Sequence, residues 1–150
     1  MQRVTKKIKR VKPLILVREA QLSNETGILN EIRSKKFEAM SALRENQRLY
    51  LDGLAVLNTE RNSGRSGRLL TLESSLDVAK DRWFEALRKF RRLEEEEKVQ
   101  VVQVMAAHRN VNALENLKER YIEQQLRASN AEEQKQLDSI GIQNHQQEKK

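Results

Sequence analysis

From Leu69 to Ile140 the chain contains neither glycine nor proline, and its apolar residues recur in steps of three and four. Leu69, Leu72, Leu76, Ala79, Trp83, Ala86, Phe90 and Leu93 follow the alternating 3–4 spacing of a heptad seam. An unbroken pattern of that period predicts one long helix and leaves no place for a sheet. Glu97 takes the next slot, and a 4–4 step there moves the pattern onto Val101, Val104 and Val111. Such a stutter locally unwinds a supercoil. Gly141 reads as a left-handed helix stop, followed by a frayed tail over 141–150. Ser129-Asn-Ala-Glu132 has capping-box spacing and marks a second candidate break.

The first half reads the same way with a poorer seam. Pro13 suits the first turn of a helix, where its missing N–H is not needed. The spacing predicts a helix over 14–57, with a seam through Leu29, Ile32, Lys36, Ala39, Leu43, Gln47, Tyr50, Leu54 and Leu57. That seam carries a 4–4 step centred on Leu43. Residues 58–68 hold two glycines, two serines and no aliphatic side chain, which is the one clear loop signal. Composition agrees, with 37% hydrophobic and 34% charged residues, five glycines, one proline and six aromatics. That balance excludes sandwiches, barrels and doubly wound sheets. The absence of cysteine removes disulfides, thiolate metal sites and thiol catalysis.

Two helices joined by a short loop fold back on each other. The expected fold class is all-α: an elongated antiparallel two-helix coiled-coil hairpin, forming a single domain. Its parts are a basic arm over 1–13, helix 1 over 14–57, a loop over 58–68, helix 2 over 69–140 and the tail. A loop midpoint near Ser63 makes facing residue numbers add to about 126, from the loop symmetry alone. Leu57 is then opposite Leu69, Leu54 opposite Leu72, Tyr50 opposite Leu76, Leu43 opposite Trp83, and Phe37 near Phe90. Helix 2 outruns helix 1, so the arm has a partner: Val11 with Leu114, Ile8 with Leu117, and Val4 with Tyr121.

The formal net charge is +7, and its location matters more than its size. Arg3, Lys6, Lys7, Lys9, Arg10 and Lys12 fall in the first thirteen residues without one acid. The rest of the chain holds 23 basic and 22 acidic residues. Three partners remain open for this arm: an acidic protein surface, an acidic membrane and a nucleic acid. The arm has no aromatic side chain for base stacking, and the rest of the chain adds no basic stripe. The recurrence of Val4, Ile8, Val11 and Leu14 among the charges suits an arm that packs. No apolar run approaches the roughly 18–20 residues of a membrane span, and Leu14-Ile15-Leu16-Val17 is too short for the apolar part of a signal peptide.

No catalytic constellation emerges. Gly64-Arg-Ser-Gly67 lacks the Lys-Ser/Thr and the preceding strand of a phosphate loop. His108 and His145 are too far apart to share a metal, and His108 reads as a polar residue of the seam opposite Arg18. Glu94 to Glu97 follow Arg88, Lys89, Arg91 and Arg92, as on a solvated face with ion pairs one turn apart. A thin hairpin offers no concave pocket. No enzyme activity, cofactor, metal or small-molecule substrate is expected.

Both ends of the chain resemble the FliJ family of flagellar type III export proteins. Lys6-Lys-Ile-Lys-Arg-Val-Lys-Pro-Leu-Ile-Leu-Val-Arg-Glu19 is similar to the family's opening, a basic start leading into a leucine-rich turn closed by Arg-Glu. Leu114-Glu-Asn-Leu-Lys-Glu-Arg-Tyr121 and Glu132-Glu-Gln-Lys-Gln-Leu-Asp138 look like its C-terminal signature. The resemblance implies a cytoplasmic stalk, peripherally associated with the inner-membrane export apparatus. Such a stalk inserts into the hexameric export ATPase ring, reaches the cytoplasmic domain of the export gate, and in some members binds export chaperones. Carried onto this chain, Arg18, Glu19, Leu117, Lys118, Glu119, Arg120 and Tyr121 would sit in the ring beside the arm's Lys6, Lys7, Lys9, Arg10 and Lys12. Leu69, Leu72 and Leu76 would face the gate. The stalk of virulence-type secretion systems has the same expected shape. A coiled-coil chaperone or scaffold that assembles on itself, and a nucleic-acid-binding coiled coil, stay open as other readings of the residues alone.

Overall fold

The computed structural model describes residues 2–64 and 67–148. They form two α-helices, α1 (Gln2–Asn62, 61 residues) and α2 (Leu69–Glu148, 80 residues), so the fold is all-α and a helical hairpin. The hairpin divides into two compact units, each built from both helices. The loop unit comprises Glu25–Val104, and the terminal unit comprises Met1–Asn24 with Met105–Lys150.

Helix 1 is longer at both ends than its local signals predict. The arm is helical from Gln2, and Pro13 lies inside α1 instead of opening it. A proline in a helix interior removes one hydrogen bond and costs roughly 3 kcal/mol. Here Pro13 is exposed, so water can take the carbonyl of Lys9 that the missing N–H leaves free. Packing offsets the rest, because Val11 and Ile15 are buried and Val4 and Ile8 half-buried on one face. At the other end α1 runs five residues past Leu57. Gly64, at φ 72°, is the one left-handed residue among those described. It follows Ser63, whose N–H still donates to the carbonyl of Thr59 at 3.0 Å. A side chain at Gly64 would cost about 1–2 kcal/mol in that conformation. The carbonyl of Arg68 accepts from the N–H of Leu72 at 2.9 Å and so opens α2. Of the expected loop over 58–68, residues 58–62 are therefore helical, and Arg65 and Ser66 lie outside the described residues.

Helix 2 does not break at Ser129 and does not stop at Gly141, which is helical and lacks a positive φ. Ala131 to Leu137 is a run of strong helix formers, and it carries the helix onward although 130–148 is exposed throughout.

In the loop unit the expected α2 seam is observed. Every position from Leu69 to Leu93 in that seam is at least half-buried, as are Glu97, Val101 and Val104. The α1 seam differs at one place. Asn46 is half-buried and Gln47 exposed, so the steps run 39, 43, 46, 50 with no stutter at Leu43. Asn46 tolerates this position by donating Nδ2 to the carbonyl of Ala42 at 2.9 Å.

The pairing itself is displaced by three residues from the expected register. A methyl group at Gly53 would meet Leu76 Cδ1 at 3.3 Å, so Leu76 is seated on Gly53 and not on Tyr50. Tyr50 instead meets Trp83 in a tilted contact, with ring centroids 5.2 Å apart. Lys36 reaches Phe90 on one side and Glu97 on the other, which centres it on Leu93. The cause is the extra length of α1, which moves the reversal point toward α2. The seam steps from this register set large against small: Leu76 on Gly53, Tyr50 on Ala79, Trp83 on Asn46, Phe90 on Ala39. Leu57 comes opposite Leu72 and is the most buried side chain, 2% exposed. Burying a leucine to that degree contributes roughly 1.5–3 kcal/mol. Phe37, expected near Phe90, is on the outer surface and 76% exposed.

Candidate interaction surfaces

The terminal unit is held by Val11, Ile15 and Val111, all buried, with Leu114, Leu117 and Tyr121 half-buried beside them. The arm packs as expected, one turn out of the expected pairing. Thr5 Oγ1 accepts from Gln125 Nε2 at 3.1 Å, and the Lys7 ammonium lies 5.4 Å over the Tyr121 ring. Tyr121 therefore meets Lys7, one turn along from the expected Val4. His108 is exposed and outside the seam, paired with Asn112 Nδ2 through Nδ1 at 3.0 Å. The half-buried Ala107 takes its place there.

All seven residues expected at an ATPase ring fall in this unit. Arg18, Glu19, Glu119 and Arg120 are exposed, while Leu117, Lys118 and Tyr121 are half-buried. Arg18 donates to Gln21 at 3.1 Å. The arm cations Lys6, Lys7, Lys9, Arg10 and Lys12 are exposed, and none forms an ion pair among the described residues. Among the described residues the arm therefore carries charge without an ion-pair partner.

Leu69, Leu72 and Leu76, expected at an export gate, fall in the loop unit and are half-buried in its seam. Their apolar character serves the pairing of α1 with α2. Sequence reasoning missed the side chains nearby that packing does not use: Leu70 is 78% exposed, and Val78 is also exposed. Their offset from the seam by one and two positions is the signal that would have found them.

Charge in the loop unit is matched internally. Glu97 accepts from Lys36 at 3.3 Å and faces Arg33 at 3.8 Å. Arg61 bridges to Glu73 at 3.0 Å across the two helices. Gln100 donates from Nε2 to both the carboxylate and the backbone carbonyl of Glu25. Glu95 pairs with Lys98, so the acidic run is divided between an inward and an outward partner. Arg48 holds Glu45 and Asp52, and its hydrogen bond to Glu45 keeps that carboxyl below the ordinary carboxylate range. A shallow groove opens where the seam is thinned by Ala39 and Ala86, with the exposed Ala42 beside them and walls that include Lys35, Glu38 and Arg82. Among the described residues no group of three His, Cys, Asp or Glu could hold a metal ion, and no helix is long and apolar enough to cross a membrane.

No family model, curated protein or solved structure matches the chain.

Proposed function

We propose that the chain is a non-enzymatic adaptor of type III protein export, engaging a hexameric export ATPase through its terminal unit and the export gate through its loop unit. The observation that carries this reading is the division of charge. The terminal unit holds fourteen basic and eight acidic residues, and the loop unit fifteen and fourteen. The unmatched cations lie in the same unit as Arg18, Lys118 and Arg120, where the resemblance to the FliJ family puts the ring contact. A guanidinium such as that of Arg120 presents a planar fork suited to carboxylates of an acidic ring mouth. Long-range attraction of this kind speeds association and weakens as salt rises. In the loop unit, Leu70 and Val78 offer apolar contact without disturbing the seam.

The test is an ATPase stimulation assay with Arg18→Ala, Lys118→Ala and Arg120→Ala combined, after circular dichroism has shown intact helicity. The expected result is loss of stimulation, with reduced export. Leu70→Ala should keep the stimulation and reduce export alone. A folded terminal variant that stimulates the ATPase like the wild type overturns the ring assignment.

A further inference from the structure

We infer that the outer face of α1 from Arg3 to Val17 is a docking surface for an anionic lipid bilayer. With Val4, Ile8, Val11 and Ile15 turned into the seam, the opposite face is given by the steps Arg3, Lys6, Arg10, Pro13 and Val17. It is cationic over its first turns and apolar over its last. Leu14 and Leu16 flank Val17 on either side, and the three are 53%, 67% and 55% exposed. In the run Leu14-Ile15-Leu16-Val17, only Ile15 is buried. The sole acid among the first 24 residues, Glu19, lies on a flank of the helix away from this face.

The pairing of the two chemistries selects the occupant. Lys and Arg near an anionic leaflet each add to binding through the negative surface potential. Aliphatic side chains beside them enter the boundary between headgroups and acyl chains. A nucleic acid would take the cations and leave Leu14, Leu16 and Val17 in water. The arm also offers it no ring for stacking, since Tyr121 of the same unit is covered by Lys7. An acidic protein surface would satisfy the charges without using the aliphatic end. A bilayer uses both, and it needs only a face of α1 that the hairpin does not.

Binding is measured by co-sedimentation of the full chain with vesicles of phosphatidylcholine containing about a third phosphatidylglycerol, with pure phosphatidylcholine vesicles, and by titration of a single-stranded oligonucleotide. The wild type should bind the anionic vesicles, lose them as salt rises, and ignore the neutral ones. A variant with Leu14→Gln, Leu16→Gln and Val17→Gln keeps the seam and should bind anionic vesicles about tenfold more weakly, with its oligonucleotide titration unchanged. Lys6→Gln, Lys9→Gln and Arg10→Gln together should abolish vesicle binding. Equal vesicle affinity of the aliphatic variant and the wild type reduces the surface to a general polyanion site. Failure to bind anionic vesicles, or tighter binding of the oligonucleotide than of the vesicles, overturns the inference. The assay contains no partner protein, so its result stands apart from the ATPase experiment.

Discussion

The loop unit and the terminal unit are made of the same two helices and the same kind of seam, yet they treat charge in opposite ways. Every ion pair among the described residues lies in the loop unit, several of them crossing from α1 to α2. That unit also has the aromatic cluster of Tyr50, Trp83 and Phe84. The terminal unit has a six-residue excess of positive charge and three buried side chains to hold it. One unit balances its own charge and the other keeps an excess. A shared seam therefore does not fix how charge is balanced: α1 and α2 pair in both units, and only the loop unit closes ion pairs among the described residues.

The largest expected effect lies in the loop unit. Trp83→Ala removes a half-covered indole and its contacts with Tyr50 and Phe84, and should cost about 3 kcal/mol, the lower end for a large aromatic. Thermal denaturation followed by circular dichroism reads it. Hydrogen exchange locates the loss: lost protection should be concentrated in 25–104. Equal loss in both units would make them a single cooperative body and end the distinction.

Pro13→Ala acts in the other unit and with the opposite sign. Restoring the missing hydrogen bond should stabilise the arm by about 1–2 kcal/mol, the roughly 3 kcal/mol of a helix interior being reduced near a fraying end. Slower exchange of amides in the first fifteen residues is the readout. No change would mean that the arm is not held as α1 holds it.

Salt separates the units more finely. Screening relieves repulsion among the arm cations and weakens exposed ion pairs, so the terminal unit should gain and the loop unit lose a few tenths of a kcal/mol between low and high ionic strength. Residue-resolved exchange rates moving in the same direction in both units would contradict the division of charge.

The smallest effect is the titration of Glu45. Arg48 lowers its pKa in the folded chain, so its contribution is present at neutral pH and is lost as pH falls through the depressed value. The carboxyl resonance of Glu45 should titrate below that of other exposed glutamates, and Arg48→Gln should bring it back. An unshifted midpoint would remove this pair from the loop unit's balance.

Much of the α2 seam was legible because its spacing needs no knowledge of a partner. The ends of α1 were not, because Pro13 and the glycine-rich loop are local signals while tertiary packing of Val4, Ile8 and Val11 decides how far the helix runs. The register followed from that miss: a helix prolonged to Asn62 carries Gly53 to Leu76 and moves Leu57 from Leu69 to Leu72. Asn46 and Gln47 exchanged roles for a related reason, since two adjacent amides look alike until a neighbouring carbonyl accepts from one. The candidate surfaces were legible in part. The cationic arm is plain in the sequence, but four consecutive aliphatics at 14–17 conceal that one is buried and three face outward. Phe37 and Leu70 were hidden in the same way, each one position from a seam residue.

The hydrogen bond between Thr5 and Gln125 spans 120 positions of the chain, whereas Arg61 and Glu73 at the turn are separated by 12. During synthesis at about 5–20 residues per second, the arm leaves the ribosome some 6–24 s before its partner segment exists. The hairpin can begin to zip at the turn while Val4, Ile8 and Val11 still have nothing to pack on. For that interval the apolar stripe is exposed among six like charges, and like charges repel, so two such arms in water approach each other against a Coulomb barrier.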